Sequence, residues 1–250
     1  MEIGEREIRS ELLSPAGRVV MLSGGSTGIG AAIARRLIID GYSLSLGGRR
    51  PKEIEGKFVG CANSPLVARF DALEPASAEA WLRATLDRFG RLDALINNAG
   101  RIRPLSFAEG EESVLDELWA VNVKAPFRLI KLALPHLAQS GHGRIINIAS
   151  TDAKRYRDAS VSIAYAATKH AVLALSHAAK FAGWEHGVRV TALCPGAVDT
   201  DFIAGLPGVT PGPGRIAPTT IAEAAAFLLR LPNNGSVAEL VVNSRLESTL

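Results

Sequence analysis

A short apolar run, a glycine-rich loop and a helical segment follow one another near the start of the sequence. The apolar run covers residues 18–22, the loop reads Ser23-Gly24-Gly25-Ser26-Thr27-Gly28-Ile29-Gly30, and the helical pattern covers residues 31–39. Glycines let the backbone turn tightly and approach a ligand, and the free N–H groups that begin a helix attract phosphate. Together they predict a phosphate-binding loop, although a surface turn with the Gly-x-x-x-Gly-x-Gly spacing would look the same.

The rest of the chain continues to alternate strand and helix patterns. Strands are predicted near residues 18–22, 43–46, 66–70, 92–96, 144–149, 188–193 and 237–242. This alternation predicts an α/β fold with a parallel sheet that is covered by helices on both faces. With 250 residues, 47% of them hydrophobic, the chain suits a single domain with a large core. Such sheets bind their ligands beyond the carboxyl ends of the strands.

A candidate acid/base pair lies in the second half of the chain. Tyr165 and Lys169 are four residues apart in a helix-forming run, so their side chains share one face of the helix. A neighbouring ammonium favours the phenolate and lowers the pKa of a tyrosine towards neutrality. On an exposed helix such a pair more often only packs, so the functional interpretation depends on the other motifs.

Three further motifs follow predicted strands in order. Residues 92–96 precede Asn97-Asn98-Ala99-Gly100, residues 144–149 end at Ser150, and residues 188–193 lead into Cys194-Pro195-Gly196. Together with the glycine loop and the Tyr165–Lys169 pair, these segments resemble the short-chain dehydrogenase/reductase family over residues 18–242. The resemblance implies a Rossmann-like, doubly wound sheet of about seven parallel strands in one domain, here residues 18–250.

The resemblance also implies catalytic roles for four residues. The family's tyrosine, here Tyr165, exchanges a proton with the substrate oxygen, and its lysine, here Lys169, binds the nicotinamide ribose and lowers the tyrosine pKa. Ser150 matches the serine that hydrogen-bonds the substrate carbonyl, with Thr151 as an alternative because Ser150 precedes Tyr165 by 15 residues rather than about 13. Asn122 matches the asparagine that interrupts a long helix and holds a water in the proton relay.

The cofactor prediction depends on the end of the second strand. Gly48 stands where NAD-dependent enzymes commonly have an acidic residue, and Arg49 follows it, which favours NADP(H) over NAD(H). The family often has a cation before the second glycine of the loop, but this chain has Thr27 there. The cofactor-binding residues implied by the resemblance are Gly24, Ser26, Thr27, Gly28, Ile29, Gly30, Arg49, Asp71, Asn98, Ala99, Gly100, Tyr165, Lys169, Pro195, Gly196 and Thr200.

The predicted activity is reversible hydride transfer between NADP(H) and a carbonyl or alcohol substrate, in the role of a carbonyl reductase. An NADPH-binding redox sensor or regulatory protein of the same fold is the main alternative. An epimerase or dehydratase of the extended relatives is less expected, because those usually carry a longer substrate domain. The substrate lid is expected near residues 197–218, where glycine and proline predict a short, irregular segment. Five cations could favour an anionic substrate or simply be solvated: Arg101, Arg103, Lys154, Arg155 and Arg157.

Charge and cysteine content argue against other classes of function. The net charge of +3 is slight and the arginines are scattered, which does not indicate nucleic-acid binding. Two cysteines, Cys61 and Cys194, and no clustered Cys/His spacing predict reduced thiols and no metal. With no apolar run approaching 18 residues, we expect no membrane partner and a cytoplasmic protein. We also expect residues 1–17 to be a mobile extension. The resemblance implies that the two long helices, near 114–137 and 162–184, pair to form at least a homodimer. A homotetramer stays open, because the chain continues after its last strand as Asn243-Ser244-Arg245 where common family members have a Gly-Gly pair.

Overall fold

The computed structural model describes residues 12–61, 63–158, 160–204, 212 and 214–244, and this part of the chain forms one parallel sheet. Its strands are β1 (Val19–Ser23), β2 (Ser43–Gly48), β3 (Leu66–Arg69), β4 (Ala94–Asn97), β5 (Arg144–Ile148), β6 (Arg189–Pro195) and β7 (Glu239–Val242). They lie in the order β3-β2-β1-β4-β5-β6-β7. The predicted sheet is confirmed, with each strand end within two residues of the prediction.

Helices connect the strands. They are α1 (Gly28–Asp40), α2 (Pro51–Glu55), α3 (Pro75–Phe89), α4 (Glu112–Trp119), α5 (Ala125–Gln139), α6 (Ile163–Gly183), α7 (Asp201–Ala204) and α8 (Pro218–Arg230). A π-helical turn, Ala120–Lys124, joins α4 to α5 without a break, so these three segments correspond to the first of the two long helices predicted from sequence. Short 3₁₀ turns lie at Thr151–Ala153 and Trp184–His186.

The core has two layers because successive strand residues point to opposite faces of the sheet. On one face, Val20 and Leu22 pack with α1 and α8. On the other face, Met21 packs with α3, α5 and the end of α6. Both layers consist of fully buried aliphatic and aromatic side chains, so the sheet is covered on both faces as a parallel sheet requires. The Rossmann-like architecture expected from the sequence is confirmed.

At the amino edge of the sheet, buried arginines bind the carbonyl oxygens that end α8. Arg18 donates from Nη1 to Leu229 O at 2.7 Å and from Nη2 to His142 O at 3.0 Å. Arg144, at the start of β5, donates to the carbonyl of Leu231. Burial lowers the pKa of Arg144 to about 10. The bonds to Leu229 O and Leu231 O satisfy carbonyls that the end of α8 leaves without intrahelical partners, and the bond to His142 O ties this end to the turn before β5.

Two segments singled out from the sequence are described only in part. Residues 1–11 of the expected N-terminal extension, and residues 205–211 and 213 of the expected lid, lie outside the described residues. Within the extension, the Leu13 N–H donates to Arg230 O at 2.7 Å, so the chain is already attached to the end of α8 at this point. In the part of the chain that the structure describes, we find no helix both long enough and apolar enough to cross a bilayer.

Candidate active site

One cavity of about 1300 Å³ lies along the carboxyl edge of the sheet. The loops that follow β1, β2, β4, β5 and β6 all contribute to its walls, as expected for a doubly wound sheet. Every predicted cofactor-binding residue lines this cavity, and so do Ser150 and its alternative Thr151. Asn122 is the exception among the predicted site residues, since it lies behind the cavity wall.

The glycine loop forms one end of the cavity, and its shape depends on the absence of side chains. A Cβ atom on Gly30 would lie 2.0 Å from Gly24 O and 2.5 Å from Asn98 Nδ2, so only glycine fits there. Asn98 Nδ2 donates to Gly24 O and Ser23 O, both at 3.0 Å, which fixes the loop to the end of β4. Thr27 is the N-cap of α1, and its side chain makes no capping hydrogen bond. The loop and the α1 N-terminus can therefore hold a phosphate group.

Between this loop and the centre of the cavity, the wall is formed by Ala99, Gly100 and Thr200. The Ala99 N–H donates to Ser23 Oγ at 3.0 Å, which fixes the segment after β4 against the end of β1. A Cβ on Gly100 would be 3.4 Å from Asn122 Oδ1 and 3.9 Å from Lys169 Nζ. A Cβ on Gly28 would touch the Thr200 methyl at 3.1 Å. The residues predicted to contact opposite ends of a dinucleotide thus line one continuous channel.

Gly196 connects the channel to the last strand. Its N–H donates to Val242 O at 2.8 Å, and a Cβ at this position would lie 2.4 Å from Asn243 Oδ1. Pro195 ends β6 directly before it. The close approach explains why position 196 needs glycine, and it places the Asn243 side chain next to the cavity.

At the outer end of the channel, β2 ends at Gly48 and Arg49. Arg49 is exposed and lines the cavity, while Asp71 lies half-buried across from it and accepts a hydrogen bond from the Leu73 N–H at 3.0 Å. A Cβ on Gly48 would lie 2.6 Å from the Ile54 Cδ1 atom. A side chain at position 48 would therefore have to displace Ile54.

Lys57 is a second cation at this end, and the sequence analysis did not identify it. Its Nζ donates to Ser26 O at 2.5 Å, so the ammonium group lies against the glycine loop. The residue follows α2 in a segment without a motif, 31 positions after Ser26, which is why no sequence signal pointed to it. The loop therefore has a neighbouring positive charge even though Thr27 occupies the position where the family often has a cation.

Tyr165 and Lys169 lie on the buried face of α6. Ser162 caps the helix by accepting a hydrogen bond from the Tyr165 N–H at 3.3 Å. The two side chains are only 8% and 6% exposed, and Lys169 Nζ lies 5.5 Å from the centre of the Tyr165 ring. Ser150 Oγ accepts a hydrogen bond from the Asp152 N–H at 3.0 Å, and the Ser150 side chain lowers the pKa of Tyr165. Ser150 and Thr151 both line the cavity, and the choice of Ser150 as the partner of the tyrosine stays a prediction.

The electrostatics of the pair differ from the sequence-based expectation. Burial raises the pKa of Tyr165, the charge of Asp152 raises it further, and only the Ser150 hydrogen bond lowers it. Lys169 donates to Ile148 O at 2.7 Å, and burial lowers its pKa to about 8. Desolvation of the phenol outweighs the other effects in this arrangement, and the lowering of the tyrosine pKa expected from Lys169 stays a prediction.

Asn122 lies in the π-helical turn between α4 and α5. Its Oδ1 accepts from the Arg101 N–H at 2.8 Å, and its Nδ2 donates to Arg101 O at 2.9 Å and to Thr168 Oγ1 at 3.1 Å. The side chain thus ties the loop after β4 to α6, next to Lys169. Widened helical turns of this kind are frequent at functional sites. The predicted part of Asn122 in a water relay stays a prediction.

The cations that could have favoured an anionic substrate are mostly paired. Arg101 and Arg103 both contact Glu117, the latter pair at 2.7 Å. Lys154 contacts Glu239, and Arg157 Nε lies 2.9 Å from Asp158. Arg155 also has an interaction partner. These pairs do not support the expectation of an anionic substrate.

Metal-binding side chains are not grouped in the described ranges, where no three His, Cys, Asp or Glu residues come together in a way that could hold an ion. The two cysteines do not form a disulfide. Cys194 is buried beneath the cavity floor, and burial raises the pKa of its thiol to about 11.

Comparison with known proteins gives a consistent picture. The family model described as short chain dehydrogenase matches residues 18–207. Agropine synthesis reductase from Rhizobium rhizogenes is 37% identical over 231 residues, which are 92% of this chain and 53% of that protein. This chain therefore spans about half the length of that curated relative. The diol dehydrogenase LinX from Sphingobium indicum, which acts on 2,5-dichloro-2,5-cyclohexadiene-1,4-diol, is 35% identical over 77% of both chains.

Solved structures with the same fold include nicotinamide complexes. An alcohol dehydrogenase from Thermococcus sibiricus, complexed with 5-hydroxy-NADP, has a TM-score of 0.82 and 32% identity, and the match covers 92% of this chain and 99% of that one. The 3-ketoacyl-(acyl-carrier-protein) reductase from Brucella melitensis, complexed with NADH, has a TM-score of 0.83 and 26% identity, covering 92% and 98%. Both forms of the nicotinamide cofactor thus occur among similar proteins.

Proposed function

This chain belongs to the short-chain dehydrogenase/reductase family, and from that premise we propose that it is an NADP(H)-dependent carbonyl reductase. The reaction is reversible transfer of a hydride between the nicotinamide and a carbonyl or alcohol carbon. The observation that carries the proposal is the position of Ser150, Tyr165 and Lys169 at one end of the channel that begins at the glycine loop. A bound cofactor supplies the hydride, and the side chains of this chain supply and position the proton.

Tyr165 is the proposed acid in the direction of reduction. Its raised pKa keeps the phenol protonated at neutral pH, so the proton is present when the substrate oxygen gains negative charge. Ser150, which lowers the pKa of Tyr165 and lines the same cavity, is the proposed donor to that oxygen and stabilises its charge. Lys169 holds its ammonium between Ile148 O and the channel, where it can bind a ribose hydroxyl.

The preference for NADP(H) is supported by charge at the outer end of the channel. Position 48 has no carboxylate to accept from a ribose 2′-OH, whereas Arg49 and Lys57 carry positive charge beside the loop. A 2′-phosphate is a dianion near neutral pH and is attracted to both cations. NAD(H) is the alternative cofactor and remains the reference for the test below.

A second copy of the chain is the proposed partner. The outer face of α6 exposes the small residues Ala167, Ala174 and Ala178, and Phe181 beside them is 81% exposed. Phe127 of α5 is 53% exposed. Small side chains let helices approach closely, and apolar patches of this kind mark interaction surfaces. The proposal is a homodimer, which a further interface could extend to a homotetramer.

Domain organisation and location complete the proposal. We infer that residues 18–250 belong to one catalytic domain, and we expect an extension in residues 1–17 and a lid in residues 197–218, although both ranges include residues outside those the structure describes. We place the protein in the cytoplasm, where NADPH is available and thiols such as that of Cys61 stay reduced.

The test combines cofactor binding with turnover. The purified protein is titrated with NADPH and NADH by following nicotinamide fluorescence, and NADPH oxidation is then measured with a panel of aldehydes and ketones. We expect tighter binding of NADPH and carbonyl-dependent oxidation. In Tyr165→Phe, we expect turnover to fall by about 10²- to 10⁴-fold, the range for a lost general acid, with the Kd for NADPH unchanged. Near-normal turnover in this variant would contradict the assignment.

The same measurements separate the alternatives. Tighter binding of NADH would overturn the cofactor preference and leave the catalytic residues as proposed. NADPH binding without turnover of any carbonyl compound would favour a redox sensor or regulatory protein. If the protein bound neither NADPH nor NADH, the proposal that it is a nicotinamide-dependent enzyme would be contradicted.

A further inference from the structure

Asp152 lies beside the proposed proton donor and has no role in the reaction described so far. It belongs to the 3₁₀ turn Thr151–Ala153, and its backbone N–H donates to Ser150 Oγ at 3.0 Å. The turn therefore fixes Asp152 two residues beyond the serine that contacts Tyr165. Its side chain is half-buried and lines the same cavity.

The charge of Asp152 reaches the catalytic pair. It raises the pKa of Tyr165 and also that of Lys169, for which burial is the larger and opposite effect. An anionic group on the substrate near the reacting carbon would meet this carboxylate, and like charges in a partly desolvated site repel strongly. The arginines that line this end of the cavity all have partners: Arg101 is paired with Glu117, Arg157 with Asp158, and Arg215 also has an interaction within the protein.

The walls around Asp152 combine apolar side chains with polar ones such as Ser106 and Ser160. Ile102, Leu105 and Val161 line the substrate end, and the Phe202 ring of α7 lies 6.2 Å from the ring of Tyr165 in a tilted arrangement. A carboxylate in such surroundings is stabilised by hydrogen-bond donors. Asp152 has an interaction within the protein. Its two oxygens provide about four lone-pair sites, so it can accept a further donor from a ligand.

We propose that the substrate carries a hydrogen-bond donor, a hydroxyl or an ammonium group, on the carbon next to the reacting carbonyl, and that Asp152 accepts its hydrogen bond. This inference rests on the proposed carbonyl reductase function and specifies its substrate class. Asp152 is thus a specificity-determining residue that contacts the substrate, while Ser150 and Tyr165 contact the reacting oxygen. Compounds with a carboxylate or phosphate at that position are excluded from the class.

The test compares hydroxyacetone with methoxyacetone, which share the ketone and the neighbouring oxygen but differ in the donor hydrogen. Both are assayed with NADPH in the wild-type protein, in Asp152→Asn and in Asp152→Leu. We expect the wild type to have the higher kcat/KM for hydroxyacetone. In Asp152→Leu we expect this preference to fall roughly tenfold or more, because a charge-assisted hydrogen bond is lost. Asp152→Asn keeps an acceptor oxygen, so its preference for hydroxyacetone should lie between those of the wild type and Asp152→Leu.

Two further arms complete the design. Aminoacetone replaces the hydroxyl by an ammonium group, and a larger effect of Asp152→Asn on aminoacetone than on hydroxyacetone would identify the ammonium as the preferred donor. Asp116→Asn, which removes a carboxylate from the exposed side of α4, is the matched control and should leave the preference unchanged.

The outcomes distinguish this inference from the function on which it rests. Turnover of other carbonyl compounds without a preference for hydroxyacetone, or a preference that survives in Asp152→Leu, would overturn the inference alone. Failure to turn over any carbonyl compound would overturn it together with the proposed function.

Discussion

At the scale of single residues, Lys57 provides the most direct test of how the chain binds its cofactor. Its ammonium lies against Ser26 O, at the end of the channel where a 2′-phosphate is proposed to bind. In Lys57→Met we expect the Kd for NADPH to rise about fivefold, since an exposed ion pair contributes roughly 1 kcal/mol, while the Kd for NADH stays constant. Fluorescence titration at low salt measures both values.

Lys52→Met is the control for Lys57, because it removes a lysine from the exposed surface of α2. Both Kd values should then match those of the wild type. If Lys57→Met weakened the binding of NADH and NADPH equally, Lys57 would stabilise the glycine loop rather than bind the 2′-phosphate.

Because of Lys169, we expect the free energy of unfolding to change with pH in the alkaline range. Burial lowers its pKa from 10.5 to about 8, so between these values the unfolded chain binds a proton that the folded protein has lost. The contribution of Lys169 to the free energy of unfolding therefore rises with pH across this window and is constant below it. Relative to Lys169→Met, the wild type should gain up to about 3 kcal/mol between pH 8 and 10.5.

Urea unfolding of both proteins at several pH values measures this difference, since other titrating groups are common to the pair. A difference that stays constant from pH 8 to 10.5 would mean that the buried ammonium keeps its ordinary pKa.

At the scale of helices and strands, Arg18 links the start of β1 to the end of α8. Its guanidinium satisfies Leu229 O and His142 O, and its exposed fraction is 7%. Arg18→Met would leave both carbonyls without these donors, and we expect the free energy of unfolding to fall by about 2–3 kcal/mol. Arg35→Met, on the exposed side of α1, should change it by less than about 0.5 kcal/mol. Denaturant unfolding measures the free energy of unfolding of both variants. Equal losses would mean that the Arg18 hydrogen bonds at the end of α8 do not stabilise the protein.

The elements were predictable because their signals are local. Apolar runs and glycines fixed every strand to within two residues, and the motifs at the strand ends identified the channel. Lys57 escaped because its role depends on how the segment after α2 folds back to Ser26. The contact of Asn122 with Arg101, 21 positions away, and the desolvation that raises the pKa of Tyr165 also depend on tertiary packing, which no single motif encodes.

At the scale of the whole molecule, the outer face of α6 is where we expect two copies to meet. Ala178 is exposed on this face, whereas Tyr165 and Lys169 lie on the inner face of the same helix. Ala178→Glu would place a charge from each copy in the interface, and we expect it to shift the protein from dimer to monomer in analytical ultracentrifugation. Ala80→Glu, on the exposed side of α3, should leave the mass unchanged. A wild type that sediments as a monomer would contradict the proposal.

The buried arginines at the amino edge of the sheet also bear on how this protein could be altered. They hold the end of α8 at the edge of the sheet opposite the cavity, and their hydrogen bonds do not involve Ile102, Val161 or Phe202, which line the proposed substrate end. Substitutions that change the substrate preference can therefore be made at these positions while the arginine hydrogen bonds at the amino edge of the sheet are kept. A library randomised at these three positions should yield mostly folded variants that differ in the ketones they accept.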